Sequence, residues 1–391
     1  MFQFHRPPPI ESQQASEFTP TFQLPGSTQQ GKSYFAAPCR LQSASMEFTL
    51  ALPGALLPPE FPATQRAQLF DGAPLPRLQK LVGRSGARQT LDCDIATAAP
   101  LECWLAQCFA IPAGLSAPYC AALDQAPVAA QACWQLQPVH LHIARDHLVL
   151  TDPALLHITP EEGAALCASI APLFAELHWQ LHATQPARWY VQPPTPLQLQ
   201  AGSPAAAIGR NIDHYLPSGA DARQWKRLMN EVQMVWHTHP VNEAREARGE
   251  LTINSVWLHG GGSAVPIPQH QFDAVHADTH YARALAHASG AESGPPYPAP
   301  RLTHARTLQI APQLQEAWMA QDWYRWREHW QALEQDFFAP LLLVLDRRIL
   351  KRLTLVLCGE AQAIEITLTP NDLWKFWRST RLENTLVEYH P

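Results

Sequence analysis

The sequence predicts a mixed α/β protein. Three observations carry this: buried-strand patterns near both ends (EFTLALPG at 47–54, LKRLTLVLCG and AIEITLT at 350–369), amphipathic helical stretches between them, and no fixed-period repeat. The 391 residues suffice for one large α/β unit or two ordinary domains, and 46% hydrophobic with 16% charged residues is a globular composition. Thirty-seven prolines imply many element boundaries.

The first 45 residues are rich in Gln, Ser, Pro and Thr, lack apolar periodicity and lack the continuous apolar core of a secretory signal, so they read as a disordered extension. Met46 directly precedes the first buried strand and is an alternative start of translation. PLECWLAQCFAI (100–111) places Leu101, Trp104, Leu105 and Cys108 on one helix face. The alternation over 134–152 centres on Ala144-Arg145-Asp146 and predicts a hairpin. Thr159 with Glu162 forms a capping box before a helix expected to run to about His182, and ARWYVQ (187–192) is a strand. Residues 130–220 thus read as a smaller strand–helix–strand unit inserted between 46–129 and 221–391.

Residues 218–240 carry Trp225, Leu228, Met229, Val232 and Trp236 at helical spacing, with Ser218 as the expected cap and Asp221 at N3. Pro240 has no amide hydrogen, so the helix must kink or restart there. INSVWL (253–258) is a buried strand running into Gly260-Gly261-Gly262. Residues 318–338 align Trp323, Trp326, Trp330, Leu333 and Phe337 on a helix face that reads as core or interface packing. NDLWKFWRS (371–379) predicts a short closing helix.

A formal charge of −6 gives no electrostatic reason to expect nucleic acid or an anionic membrane as partner, and neither is expected. Eight cysteines without a CxxC pair, mostly beside apolar residues, read as reduced thiols of a cytoplasmic protein. No apolar run approaches the roughly 20 residues of a membrane span. Walker A, G-x-G-x-x-G and G-x-S-x-G patterns are absent from the sequence, which removes the kinase, dinucleotide and α/β-hydrolase readings.

The order HPVN-x-x-R-x-x-x-G (239–249) followed by Asn254 before an apolar strand resembles the archaeal-type, cofactor-independent phosphoglycerate mutases. Arg188 before a strand, and GRNIDHYLPSG (209–219) with Asp213-His214, resemble that family's arginine strand and Asp-Pro-His turn. The likeness covers about 130–262, and from Met46 onward the chain also resembles bacterial RpfE-type regulatory proteins. It implies an alkaline-phosphatase-like α/β sandwich with an inserted, transferase-like α+β domain. It also implies a serine nucleophile activated by two divalent ions such as manganese, held by Asp and His. The first of those ligands is expected where this chain reads LALPGALLPPE, which has no Asp. A late Asp-His pair is expected where it reads LVLCGEAQAIEI, which has neither, and Ser85 is the one candidate nucleophile.

The expectation is therefore a catalytically degenerate, regulatory or ligand-binding relative that needs no cofactor. Arg188, Arg210, His214, Asn242, Arg245 and Asn254 would line a site for a phosphorylated or carboxylate small molecule. The alternatives are an active mutase interconverting 3- and 2-phosphoglycerate, and a purely structural partner-binding protein. If a metal binds, spacing points to Asp273, His276 and His280 on one helical face, although chance pairs are common among 18 histidines. His140 and His142 share a strand face, and the glycine triplet offers either amides to an anion or simply a turn.

Overall fold

The computed structural model describes residues 45–71, 74–128, 132–145, 147–268 and 271–388. The expected disordered extension, Ser45 apart, lies outside the described residues, as does Asp146 of the hairpin. All described residues fall in one compact unit.

The strands are β1 (Met46–Leu52), β2 (Ala87–Asp92), β3 (Cys133–Val139), β4 (Leu141–Ala144), β5 (His147–Leu150), β6 (Gln180–Gln185), β7 (Arg188–Gln192), β8 (Ser255–Gly262), β9 (Ala274–His276), β10 (Glu292–Gly294), β11 (Arg306–Ile310), β12 (Leu350–Cys358) and β13 (Gln362–Leu368). A seven-stranded sheet runs β10-β9-β11-β1-β12-β13-β2. Its first five strands are mutually parallel, whereas β13 pairs antiparallel with both β12 and β2. Parallel strands buried on both faces need near-continuous apolar sequence, which is why β1 and β12 are legible as strands. Side chains alternate between the faces. Phe48, Leu50 and Leu52 of β1 and Leu353, Leu355 and Leu357 of β12 join one core, with Trp326, Trp330 and Phe337. Ala51 and Val356 point into the other, with Trp104, Leu105 and Leu285.

The tryptophan stripe is core, as expected, but it does not lie on one helix. Gln315–Met319, Trp323–Leu333, a wide turn over Glu334–Phe338 and Ala339–Asp346 carry the chain from β11 to β12. Stacked edge-to-face contacts, Trp323 to Trp326 at 6.1 Å and Trp326 to Trp330 at 5.7 Å, fill that layer.

The second sheet, β6-β7-β3-β8, is antiparallel throughout. The Pro160–Glu176 and Ala222–His237 helices pack on it through Phe174, Trp225, Val232 and Trp236. Residues 222–262 thus pack with 133–192, so the smaller layer extends past the expected boundary at 220. The Thr159–Glu162 capping box is present. The helix ends at Glu176 rather than near His182: His178 adopts φ 58°, a left-handed conformation that turns the chain into β6. Asp221, not Ser218, takes the N-cap position of the next long helix, and its carboxylate accepts from Gln198 N rather than capping the helix. The break at Pro240 is as expected: one helix ends at His237, His239 accepts a bond from Val241 N, and Pro240–Ala247 begins anew. β4 and β5 form the expected hairpin, with Arg145 at φ 59° in its turn.

Candidate functional site

In open α/β sheets the ligand crevice lies beyond the carboxyl ends of the parallel strands. Here that edge holds a cavity of about 90 Å³. Pro53 and Gly54 follow β1, Gly359 and Glu360 follow β12, Gln315 and Trp318 lie beyond β11, and Thr279 and Tyr281 beyond β9. Ala99 to Glu102, at the start of the Pro100–Cys108 helix, and Arg210, from the loop after the Pro204–Ala207 helix, complete the wall.

The polar groups in this mostly apolar wall are few. Arg210 is its only cation among the described residues; it donates to Tyr215 Oη at 3.1 Å and sits 3.5 Å from Glu360 Oε1. That pair is loose, so part of the guanidinium's donor fork is uncommitted. Glu102 Oε2 accepts from Ala99 N at 2.9 Å and from the Ser203 hydroxyl. Burial raises the Glu102 pKa despite these bonds.

Of the six residues expected to line one pocket, only Arg210 reaches this cavity. Asn242 is consumed as a staple: its Nδ2 donates to Trp236 O and Ile253 O, both at 2.8 Å, and its Oδ1 accepts from Ile253 N at 2.7 Å. Asn254 pairs with both backbone groups of Leu141 at 2.8 Å, much as another strand would. Arg245 donates to Leu251 O at 2.7 Å, Leu156 O at 2.6 Å and Glu162 Oε2 at 2.6 Å. The HPVN-x-x-R segment is therefore a clasp joining the restarted helix to the Thr159 cap and to the stretch that leads into β8. His214 is exposed on the surface.

Arg188 belongs to a separate network. It forks onto Asp124 at 3.0 and 3.1 Å, Tyr190 Oη donates to the same carboxylate at 2.7 Å, and His280 Nε2 lies 3.3 Å away. Burial alone would raise the Asp124 pKa, but the nearby His280 imidazole and the hydrogen bonds from Arg188 and Tyr190 hold it far below the usual carboxylate range.

The helical metal face is corrected. His276 ends β9 and His280 begins the His280–Ser289 helix, so the i, i+4 spacing does not put them on one face. Asp273 is bonded to Arg306 N at 2.8 Å and to its guanidinium at 3.0 Å, and His280 faces Asp124. Among the described residues no group of three or more His, Cys, Asp or Glu side chains is arranged to hold a metal. Ser85 precedes β2, which runs parallel to β12 because both oppose β13. It therefore sits at the amino end of the sheet, away from the cavity. His140 and His142 do stack, with centroids 6.3 Å apart, but His140 Nδ1 lies 2.7 Å from Thr252 O and His142 Nδ1 3.1 Å from Thr151 Oγ1. The glycine triplet serves packing: a Cβ at Gly261 would fall 2.0 Å from the Trp134 ring, and Gly260 sits at φ +71°.

Glu102, Ser203, Tyr281 and Glu360 escaped the sequence reading. They come from four distant stretches that only the tertiary fold unites, and no local spacing marks them.

No protein-family model matches the chain. A 136-residue stretch, 34% of the chain, is 29% identical to a probable 2,3-bisphosphoglycerate-independent phosphoglycerate mutase of Geobacter sulfurreducens and covers 34% of it. The corresponding mutase of Methanosarcina mazei is 38% identical over 61 residues, 16% of this chain and 15% of that protein. That of Methanothrix thermoacetophila is 27% identical over 121 residues, 31% of this chain and 30% of that protein. The chain is a distant homologue of these mutases. The matched stretches span at most about a third of the curated relatives' length. Across the whole fold, the PH0037 protein from Pyrococcus horikoshii superposes with a TM-score of 0.53 at 12% identity, covering 87% of this chain and 92% of its own. The mixed α/β architecture is thus shared with a solved structure.

Proposed function

We propose that this mutase homologue has left two-metal phosphoryl transfer and is a cytoplasmic binding protein for a small phosphate- or carboxylate-bearing compound, held on Arg210 in the cavity at the sheet's carboxyl edge. The observation that carries this reading is the identity of that edge. The mutase resemblance implies two divalent cations, whose charge needs several Asp and His donors. The positions after β1 and β12 are Pro53-Gly54 and Gly359-Glu360, and the remaining wall is mainly apolar. Two carboxylates, Glu360 facing Arg210 and Glu102 bonded to Ala99 N and the Ser203 hydroxyl, with no Asp or His beside them in the wall, do not make such a cage, so the residues present do not fit the metal pair.

What they do fit is recognition. An arginine against an apolar wall favours a compact anion with a short apolar body. The role would be regulatory, as the RpfE-type resemblance implies, with ligand occupancy as the signal.

Thermal-shift measurements on the full chain with 2- and 3-phosphoglycerate and a panel of small carboxylates test this. A compound that binds only the folded state raises the unfolding midpoint. The expected result is a concentration-dependent rise that Arg210→Ala abolishes. A rise that survives Arg210→Ala, or no rise with any of the compounds, overturns the assignment.

A further inference from the structure

Beyond the cavity, the C-terminal region exposes three large aromatic side chains within four residues. Trp374, Phe376 and Trp377 are 71%, 75% and 69% exposed, in a protein whose other tryptophans are mostly core. The expected closing helix is only a short turn, Pro370–Trp374, after which residues 375–381 have no regular structure before the short Leu382–Thr385 helix. The segment is nevertheless fastened. Asp372 Oδ2 accepts from Thr369 N at 2.7 Å and Thr369 Oγ1 at 2.8 Å, Arg84 donates to Leu373 O at 2.5 Å, and Arg378 donates to Ser85 O at 3.3 Å. Phe376 and Trp377 brace each other edge-to-face at 5.2 Å. The aromatics are thus presented by an ordered backbone, so little further ordering is needed to engage a partner.

Charge indicates what that partner is. Residues 374–381 contain Lys375, Arg378 and Arg381 and no acid. Asp372 pairs with Lys375 at 2.5 Å and Glu383 lies 3.7 Å from Arg381, so residues 372–383 carry three cations against two acids, with the Arg84 guanidinium alongside on Leu373 O. A net charge of −6 describes the whole chain and hides this local basic strip. Tryptophans and phenylalanine interleaved with lysine and arginine are what an interfacial anchor requires: rings settle at headgroup depth while the cations meet lipid phosphates. Contiguous exposed apolar surface of this kind marks an interaction site.

We propose that Trp374, Phe376 and Trp377, with Lys375, Arg378 and Arg381, form a peripheral docking surface for an anionic lipid bilayer. No helix among the described residues is long and apolar enough to cross a membrane, so the contact is with the surface. Attachment is reversible, because a few aromatics and cations supply far less affinity than a spanning helix.

The test is sedimentation of the full chain with vesicles of phosphatidylcholine alone, or containing one quarter phosphatidylglycerol. We expect binding to the anionic vesicles that weakens with added salt. The W374A/F376A/W377A variant should lose about tenfold in affinity, its fold being checked by circular dichroism. On the wild type, brominated acyl chains should quench tryptophan fluorescence. Failure of the wild type to bind anionic vesicles, undiminished binding by the folded triple variant, or binding without quenching each overturns the proposal. So does a wild-type dimer in light scattering that the triple variant dissociates without any vesicle binding, since the patch is then a protein interface.

Discussion

Arg245→Ala is expected to destabilise the protein by about 3–5 kcal/mol, the range for removing one partner of a buried charge pair. The guanidinium is 3% exposed, and its donors reach two backbone carbonyls and Glu162. Truncation leaves Leu156 O and Leu251 O without this donor and weakens the neutralisation of the Glu162 carboxylate, which also caps the Pro160–Glu176 helix. Arg248 touches the same Glu162 at 2.8 Å, but its side chain is 48% exposed. Arg248→Ala is therefore expected to destabilise far less than Arg245→Ala, because solvent screens an exposed ion pair. Urea unfolding of both variants checks the contrast. If Arg245→Ala unfolds like the wild type yet loses a ligand-induced thermal shift, Arg245 is a ligand residue and the clasp assignment is wrong.

Acidification from pH 7 to pH 5 is expected to cost the wild type about 2 kcal/mol that His259→Gln does not lose. His259 lies on β8, 7% exposed, and its Nε2 has no hydrogen-bond partner among the described residues. Burial pushes its pKa from 6.5 down to about 3. The unfolded chain takes up a proton below pH 6.5, whereas the folded chain resists until about pH 3, so acid favours unfolding throughout that interval. The contribution of His259 is fully present above pH 6.5 and erodes as the pH falls. Asp124 acts in the same direction at lower pH: its depressed pKa gives stability that is present above the ordinary carboxylate range and lost only in stronger acid. The check is the pH dependence of urea midpoints for wild type and His259→Gln. Parallel profiles would show that His259 takes up its proton equally in the folded and unfolded chain, so that burial does not depress its pKa.

What the sequence made legible depended on where the determining contacts lie. β1, β12 and the Thr159 capping box announce themselves because their apolar runs and cap residues are local. β6 was absorbed into the preceding helix because residues 177–182 stay apolar enough to continue it. Only the left-handed His178 ends the run, a conformation with no residue signature there. β9 is three residues long and owes its existence to pairing with β10 and β11, so Asp273, His276 and His280 showed a helical spacing that the fold does not use. The HPVN-x-x-R segment was found, but spacing does not say whether a buried arginine faces a ligand or the chain's own carbonyls. The cavity was invisible because its wall is assembled from the ends of separate strands. Only Arg210 was singled out in advance, through the family resemblance.

Conversion of 3-phosphoglycerate to 2-phosphoglycerate by the purified full chain with added manganese tests the central claim most directly. The donor set at the sheet's carboxyl edge predicts no turnover above the protein-free background, alongside retained binding of a small anion that depends on Arg210. Sustained turnover that requires manganese would contradict it, and would mean that a metal cage forms from residues outside that edge.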